Sequence, residues 1–180
     1  MTWLPFFLDP NTPPEGRDLK EYLSSKYGHA AVAKFDSPNN PLDQAGRKVG
    51  ISFNKARRVI NTIDCHRVMD WCNREFPDKA DLLMEKMFHA YFEEAIDLSV
   101  RENLIAVSVE AGLDREAVES FVHSDQHRQD VLQADAIGKQ RYRVSGVPFF
   151  IIEPADGSRP ITFSGAQVRV GDRREPLVHV

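Results

Sequence analysis

The chain has 180 residues, a formal net charge of −4, 42% hydrophobic and 28% charged residues, enough for one domain with a substantial core. No basic stretch dominates, which argues against nucleic acid or a membrane surface as partner. Its apolar runs are far shorter than a membrane span, and the N-terminal ten residues have no positively charged start or small-residue cleavage site, so no secretory leader is expected.

Residues 3–8, W-L-P-F-F-L, read as a strand, with Pro5 demanding an edge position or a bulge. A turn-rich loop, D-P-N-T-P-P-E-G, leads to a short helix from Arg17 to Tyr27 that Gly28 closes. Residues 29–40 run into the breaker S-P-N-N-P, and a second short helix is expected over Leu42–Val49, with Gly50 after it. Residues 51–53, I-S-F, are a candidate strand.

The middle of the chain reads as helical. Ile63, Val68, Trp71 and Cys72 share one face, and Leu83, Met87, Ala90 and Tyr91 make a stripe of helical period after Pro77. Ser99 and Glu102 have the spacing of a capping box, Gly112 ends that helix, and Asp114 can cap the next one. Ser124 or Asp125 can open a last helix reaching about Tyr142. Two short strands follow, 147–152 and 160–163, joined by a link holding Asp156-Gly157, a turn signal. The order of strand, helical block, strand, strand predicts an α/β sheet layer with a helical insertion.

Few side chains announce chemistry. Cys65 and Cys72, seven residues apart on one helix, have Cα atoms about 10.5 Å apart, too far to bridge. They read as small buried residues of a reduced, cytoplasmic protein. His123 and His127 stand at i,i+4 and could hold zinc on one helical face, but no Glu accompanies them and the stretch straddles an expected helix boundary, so a solvated surface is the expectation. His66 follows Cys65, yet neighbours on a helix point about 100° apart, so no nucleophile pair is preset. Asp64, Arg67 and Asp70 read as helix-surface charges. There is no glycine-rich phosphate loop and no G-x-S-x-G.

The run V-S-G-V-P-F-F-I-I from Val144 to Ile152 poses the sharper question, because a proline that opens a strand gives up a ladder bond. A cis Val147–Pro148 bond would present the backbone of the preceding residue to an extended peptide or to a tripeptide such as glutathione, whereas a trans proline would simply mark a strand edge.

Several spaced motifs together resemble the DsbA-like thioredoxin-fold family, in particular its FrnE-like branch. They are W-L-P-F-F-L-D-P-N-T-P-P-E-G from Trp3, E-Y-L-S-S-K-Y-G from Glu21, R-V-I-N-T-I-D-C-H-R from Arg58, the Val144–Ile152 run and F-S-G-A-Q from Phe163. The resemblance implies a single domain over 1–180, with a thioredoxin-like sheet portion at about 3–16 and 144–167 and a mainly helical part, including the insertion, at about 17–143. It implies a thiol–disulfide oxidoreductase in which Gly146, Val147 and Pro148 border a thiol site and hold a thiol or disulfide peptide, or glutathione. In that family a strand, a C-x-x-C and a helix precede the segment matching Trp3, and a helix follows the one matching Gln167. Cys65 and Cys72 match no C-x-x-C, so no catalytic residue is assigned, and residues 168–180 read as poorly helical. The chain is therefore expected to lack the first strand and the redox motif and to be inactive or impaired. Three explanations stand open: an incomplete sequence, direct pairing of the flanking strands around Phe6, Phe7, Phe149 and Phe150, or a strand supplied by a second chain. Two other functions also stand open. One is a glutathione-dependent isomerase or transferase of the 2-hydroxychromene-2-carboxylate isomerase type. The other is a non-enzymatic binding module, or homo-oligomer, built through exposed sheet edges. No metal or bound cofactor is expected.

Overall fold

The computed structural model describes residues 1–165. Its helices are α1 (Leu19–Tyr27), α2 (His29–Asp36), α3 (Pro41–Lys48), α4 (Ile63–Glu75), α5 (Ala80–Phe88), α6 (Arg101–Glu110), α7 (Arg115–Val122) and α8 (Arg128–Arg141); its strands are β1 (Phe149–Ile152) and β2 (Ile161–Ser164). The chain divides into two compact units, Met1–Ala134 and Asp135 onward. The expectations for residues 168–180 and for Gln167 lie outside the described residues.

The core of the first unit is the meeting of α4, α5, α6 and α7. Val68, Cys72, Leu83, Leu104, Val118 and Val122 are fully buried there, with Met69, Met87 and Phe121 around them. Local signals place the helix ends. Asp18 caps α1 through the N–H groups of Lys20 and Glu21. Asn40 caps α3 ahead of Pro41 at the first helical position. Asp114 accepts from Ala117 N–H at 2.9 Å to start α7, and Gly112, at φ +86°, reverses the chain after α6. After α5 the helix widens into a π turn over His89–Glu93.

Four expectations are corrected. Residues 3–8 form no strand: the Asn73 side chain takes both backbone groups of Trp3, donating to its carbonyl at 2.7 Å and accepting from its N–H at 3.4 Å, while the indole donates to Asp81 at 2.8 Å. Trp3 is thereby tied to α4 and α5, and Phe7 sets its ring edge-on to His66. Residues 51–53 also form no strand. Ser52 N–H goes to the Glu93 carboxylate and Asn54 N–H to the Phe92 carbonyl, so the π turn takes the bonds a ladder would have used. Ser99 caps nothing. Its hydroxyl and N–H both turn back to Asp97, and Val100 stands at the start of α6 without a side-chain cap. Residues 29–36, read as a lead-in to a breaker, are a helix.

The second unit carries the end of α8 and an antiparallel hairpin, with Phe149 opposite Ser164, Phe150 opposite Phe163, Ile151 opposite Thr162 and Ile152 opposite Ile161. The link between its strands turns at Gly157, φ +75°, with Asp156 accepting from Ser158 N–H. Phe150 and Phe163 stack with centroids 4.8 Å apart.

Candidate functional site

The approach to β1 is built in three steps. Val144 is buried, and its N–H returns to the Gly138 carbonyl at 3.2 Å, which fastens the chain to α8. Residues 145–148 then bend outward. The Val147–Pro148 peptide bond is cis, and the Pro148 carbonyl accepts from Gly165 N–H at 2.9 Å, extending the hairpin ladder by one rung. Gly146 has open space where a side chain would begin. Val147 is 58% exposed, and among the described residues its N–H and C=O make no hydrogen bond. Gly146, Val147 and Pro148 thus form an uncharged, apolar turn with free backbone hydrogen-bonding groups. It can hold an extended chain by backbone pairing and has no side chain able to transfer a proton or attack a bond.

The two cysteines lie on α4 and are both free thiols. Burial pushes the half-buried Cys65 thiol up to about 12, aided by the negative charges of Asp64 and Asp97, and its S–H points to the Leu98 carbonyl. Burial likewise pushes Cys72 up to about 11, partly offset by Lys79, with its S–H on the Phe76 carbonyl. At neutral pH both therefore rest as thiols rather than thiolates. Reactive cysteines sit in electropositive, accessible places; these sit against carbonyl oxygens and carboxylates. His66 lies against Phe7, ring edge to face.

The histidine pair separates. α7 ends at Val122 and α8 begins at Arg128, so the stretch does straddle a boundary. His123 Nδ1 lies 2.8 Å from the Glu119 carbonyl. His127, at φ +60°, turns its Nδ1 to Asp70 Oδ2 at 2.7 Å instead. Asp70, His127 and Asp130 bring three potential ligand atoms within 4.8 Å of one another. Arg74 already bridges both carboxylates, at 2.8 and 2.9 Å, so a guanidinium supplies the positive charge there.

Arg67 is the residue that sequence reasoning misplaced most. It is 1% exposed rather than a surface charge. Nε donates to the Gln126 carbonyl at 2.8 Å, Nη2 to the Phe121 and Ser124 carbonyls at 3.3 and 2.5 Å, and Nη1 to Asp64 at 2.7 Å. It thereby ties the α7–α8 turn to α4. No pattern in the chain singles it out, since its partners are mostly main-chain carbonyls 54 to 59 positions away.

Two hollows stand out among the described residues of the first unit. One, of about 550 Å³, is an open depression among Glu15, Gly16, Arg17, Tyr22 and Arg58. The other, of about 110 Å³, lies at the start of α4 beside Phe7, Asn61, Thr62 and Arg128. The 146–148 turn lines neither.

Comparison with known proteins places these observations. The family model described as a DSBA-like thioredoxin domain matches residues 1–169. The crystal structure of a probable DsbA oxidoreductase from Streptomyces coelicolor matches with a TM-score of 0.76 at 23% identity, over 90% of this chain and 67% of that one, a likeness of fold. No curated protein matches the chain.

Proposed function

The chain belongs to the DSBA-like thioredoxin family, an α/β fold with a helical insertion and, at the coarse level, a family of thiol–disulfide oxidoreductases, and from that premise we propose that its turn at Gly146, Val147 and Pro148 binds a thiol or disulfide peptide, glutathione being the smallest such ligand. The observation that carries the reading is the exposed Val147, whose N–H and C=O are free to pair with an extended backbone. Neither Cys65 nor Cys72 takes part in the exchange, because burial holds both as protonated thiols. Attack on a substrate disulfide needs a thiolate, so the 180-residue chain by itself binds without exchanging disulfides. Two free cysteines also suit a reducing compartment, and the reading assigns the protein to the cytoplasm.

An insulin-reduction assay with dithiothreitol tests the catalytic half. The chain is expected to leave the rate at the dithiothreitol background; turnover that disappears in a Cys65→Ser or Cys72→Ser variant would overturn it.

A further inference from the structure

Apart from the ligand turn, we propose that residues 29–49 form a flap that opens as one unit about Gly28 and Gly50 and is held shut by Lys55. The segment comprises α2 and α3 and lacks a hydrophobic anchor. α2 buries no residue, and α3 buries only Gly46, which has no side chain. Leu42 and Val49 are 51% and 72% exposed. Asn40 is buried, but it uses its side chain within the segment, capping α3 and donating to the Phe35 carbonyl. A stretch with so little apolar burial opens at far lower cost than a packed core such as that of α4–α7. Both ends can turn. Gly28 and Gly50 stand at φ +81° and +84°, a region glycine enters without strain, and neither has a packing neighbour within 4 Å of where a Cβ would lie.

Lys55 grips both helices at once. Its Nζ donates to the Phe35 carbonyl near the end of α2 at 2.7 Å, pairs with the Asp43 carboxylate of α3 at 2.8 Å, and lies over the Phe35 ring. One ammonium thus answers the partial negative charge of a helix end and the full charge of a carboxylate. Asp43 retains 12% side-chain exposure, whereas the Lys20–Asp36 pair is open to solvent on both sides and holds α2 weakly. The base under the latch is firm, since Asn54 N–H is held by the Phe92 carbonyl at 2.7 Å. α3 also rests on Phe53 at Gly46, where a Cβ would stand 2.8 Å from the ring. Opening uncovers Phe53 and frees one side of Arg57, whose guanidinium lies over the Phe35 and Phe92 rings, 5.9 and 5.4 Å from their centroids.

Hydrogen–deuterium exchange of the full chain, read by mass spectrometry, tests this. α2 and α3 should exchange together, well before α4–α7. Lys55→Met removes the bonds of the latch and keeps much of its length, so it should speed exchange of both helices about 10-fold or more and leave α4–α7 unchanged. Gly46→Ala sets a methyl against Phe53 and should speed both helices in the same way. Lys20→Met, which breaks only the exposed pair, should change exchange less than about 5-fold. An arginine-selective dicarbonyl should modify Arg57 faster in the Lys55→Met chain, while Arg58, already exposed, keeps its rate. Protection of residues 29–49 equal to that of the core would overturn the proposal. So would a response of only one helix to Lys55→Met or to Gly46→Ala, an effect of Lys20→Met as large as that of Lys55→Met, or labelling of Arg57 that the latch variant leaves unchanged.

Discussion

Replacing Arg67 with Met is the most consequential single change the structure identifies outside the proposed ligand turn. The substitution keeps most of the side-chain volume and removes every donor. Three main-chain carbonyls, of Phe121, Ser124 and Gln126, lose their bonds from it, and the Asp64 carboxylate loses its nearest cation. Removing one partner of a buried, hydrogen-bonded pair costs about 3–5 kcal/mol. Asp64 retains 18% side-chain exposure and Arg101 at 3.8 Å, so solvent and a second cation compensate in part. The lower end applies, about 3 kcal/mol. For a chain of this size each kcal/mol shifts the midpoint by about 2–4 °C, giving a fall of roughly 6–12 °C. Thermal and urea unfolding followed by circular dichroism would measure it. Arg67→Lys, which keeps the charge but not the planar fork, should recover only part of the loss. A loss below about 1 kcal/mol for Arg67→Met would refute the reasoning, since that is what a surface pair contributes.

Other outcomes follow from single contacts. Asp114→Ala should cost about 1 kcal/mol, because Ala117 N–H loses its acceptor at the start of α7, and Asp114→Asn should restore most of it. Gly16 stands at φ +70° with the Val59 carbonyl 2.6 Å from where a Cβ would lie, so Gly16→Ala should destabilise by more than about 1 kcal/mol in urea unfolding. Folding raises both thiol pKa values, so the stability they contribute is complete below pH 9 and is lost on the way to about 11 for Cys72 and 12 for Cys65. A urea titration series should show stability falling across that window, with a smaller fall in Cys65→Ala. Iodoacetamide should label neither cysteine appreciably at pH 7 in the native chain, and both in urea.

Much of the helical architecture is legible in the sequence because its signals are local. The Leu83, Met87 and Ala90 stripe is buried as its period demands, and Asp114 and Gly112 bound their helices with groups only a few residues away. The strands at 149–152 and 161–164 likewise stand where apolar runs flank Asp156-Gly157. Where the structure departs from these expectations, competing partners take the bonds, most of them distant in the chain. Residues 3–8 have a strand's composition, but the Asn73 amide, 70 positions on, takes the backbone bonds of Trp3. Ser99 and Glu102 have capping-box spacing, yet Asp97 offers the serine a nearer acceptor. Arg67 looks like any helix-surface arginine until the α7–α8 turn closes over it. Of the ligand site, the sequence marks its place, since a proline opening an apolar strand is conspicuous. It does not reveal that, among the described residues, the bonding capacity of Val147 goes unused.

The central claim is that ligand contacts this chain at residues 146–148 and leaves the α4 cysteines untouched. Amide chemical-shift mapping during titration with a short disulfide-containing peptide, and separately with glutathione, tests it most directly. The account predicts shifts concentrated at Gly146, Val147 and Phe149, with α4 unperturbed. Shifts centred on Cys65 and its neighbours, or none anywhere at saturating ligand, would contradict it.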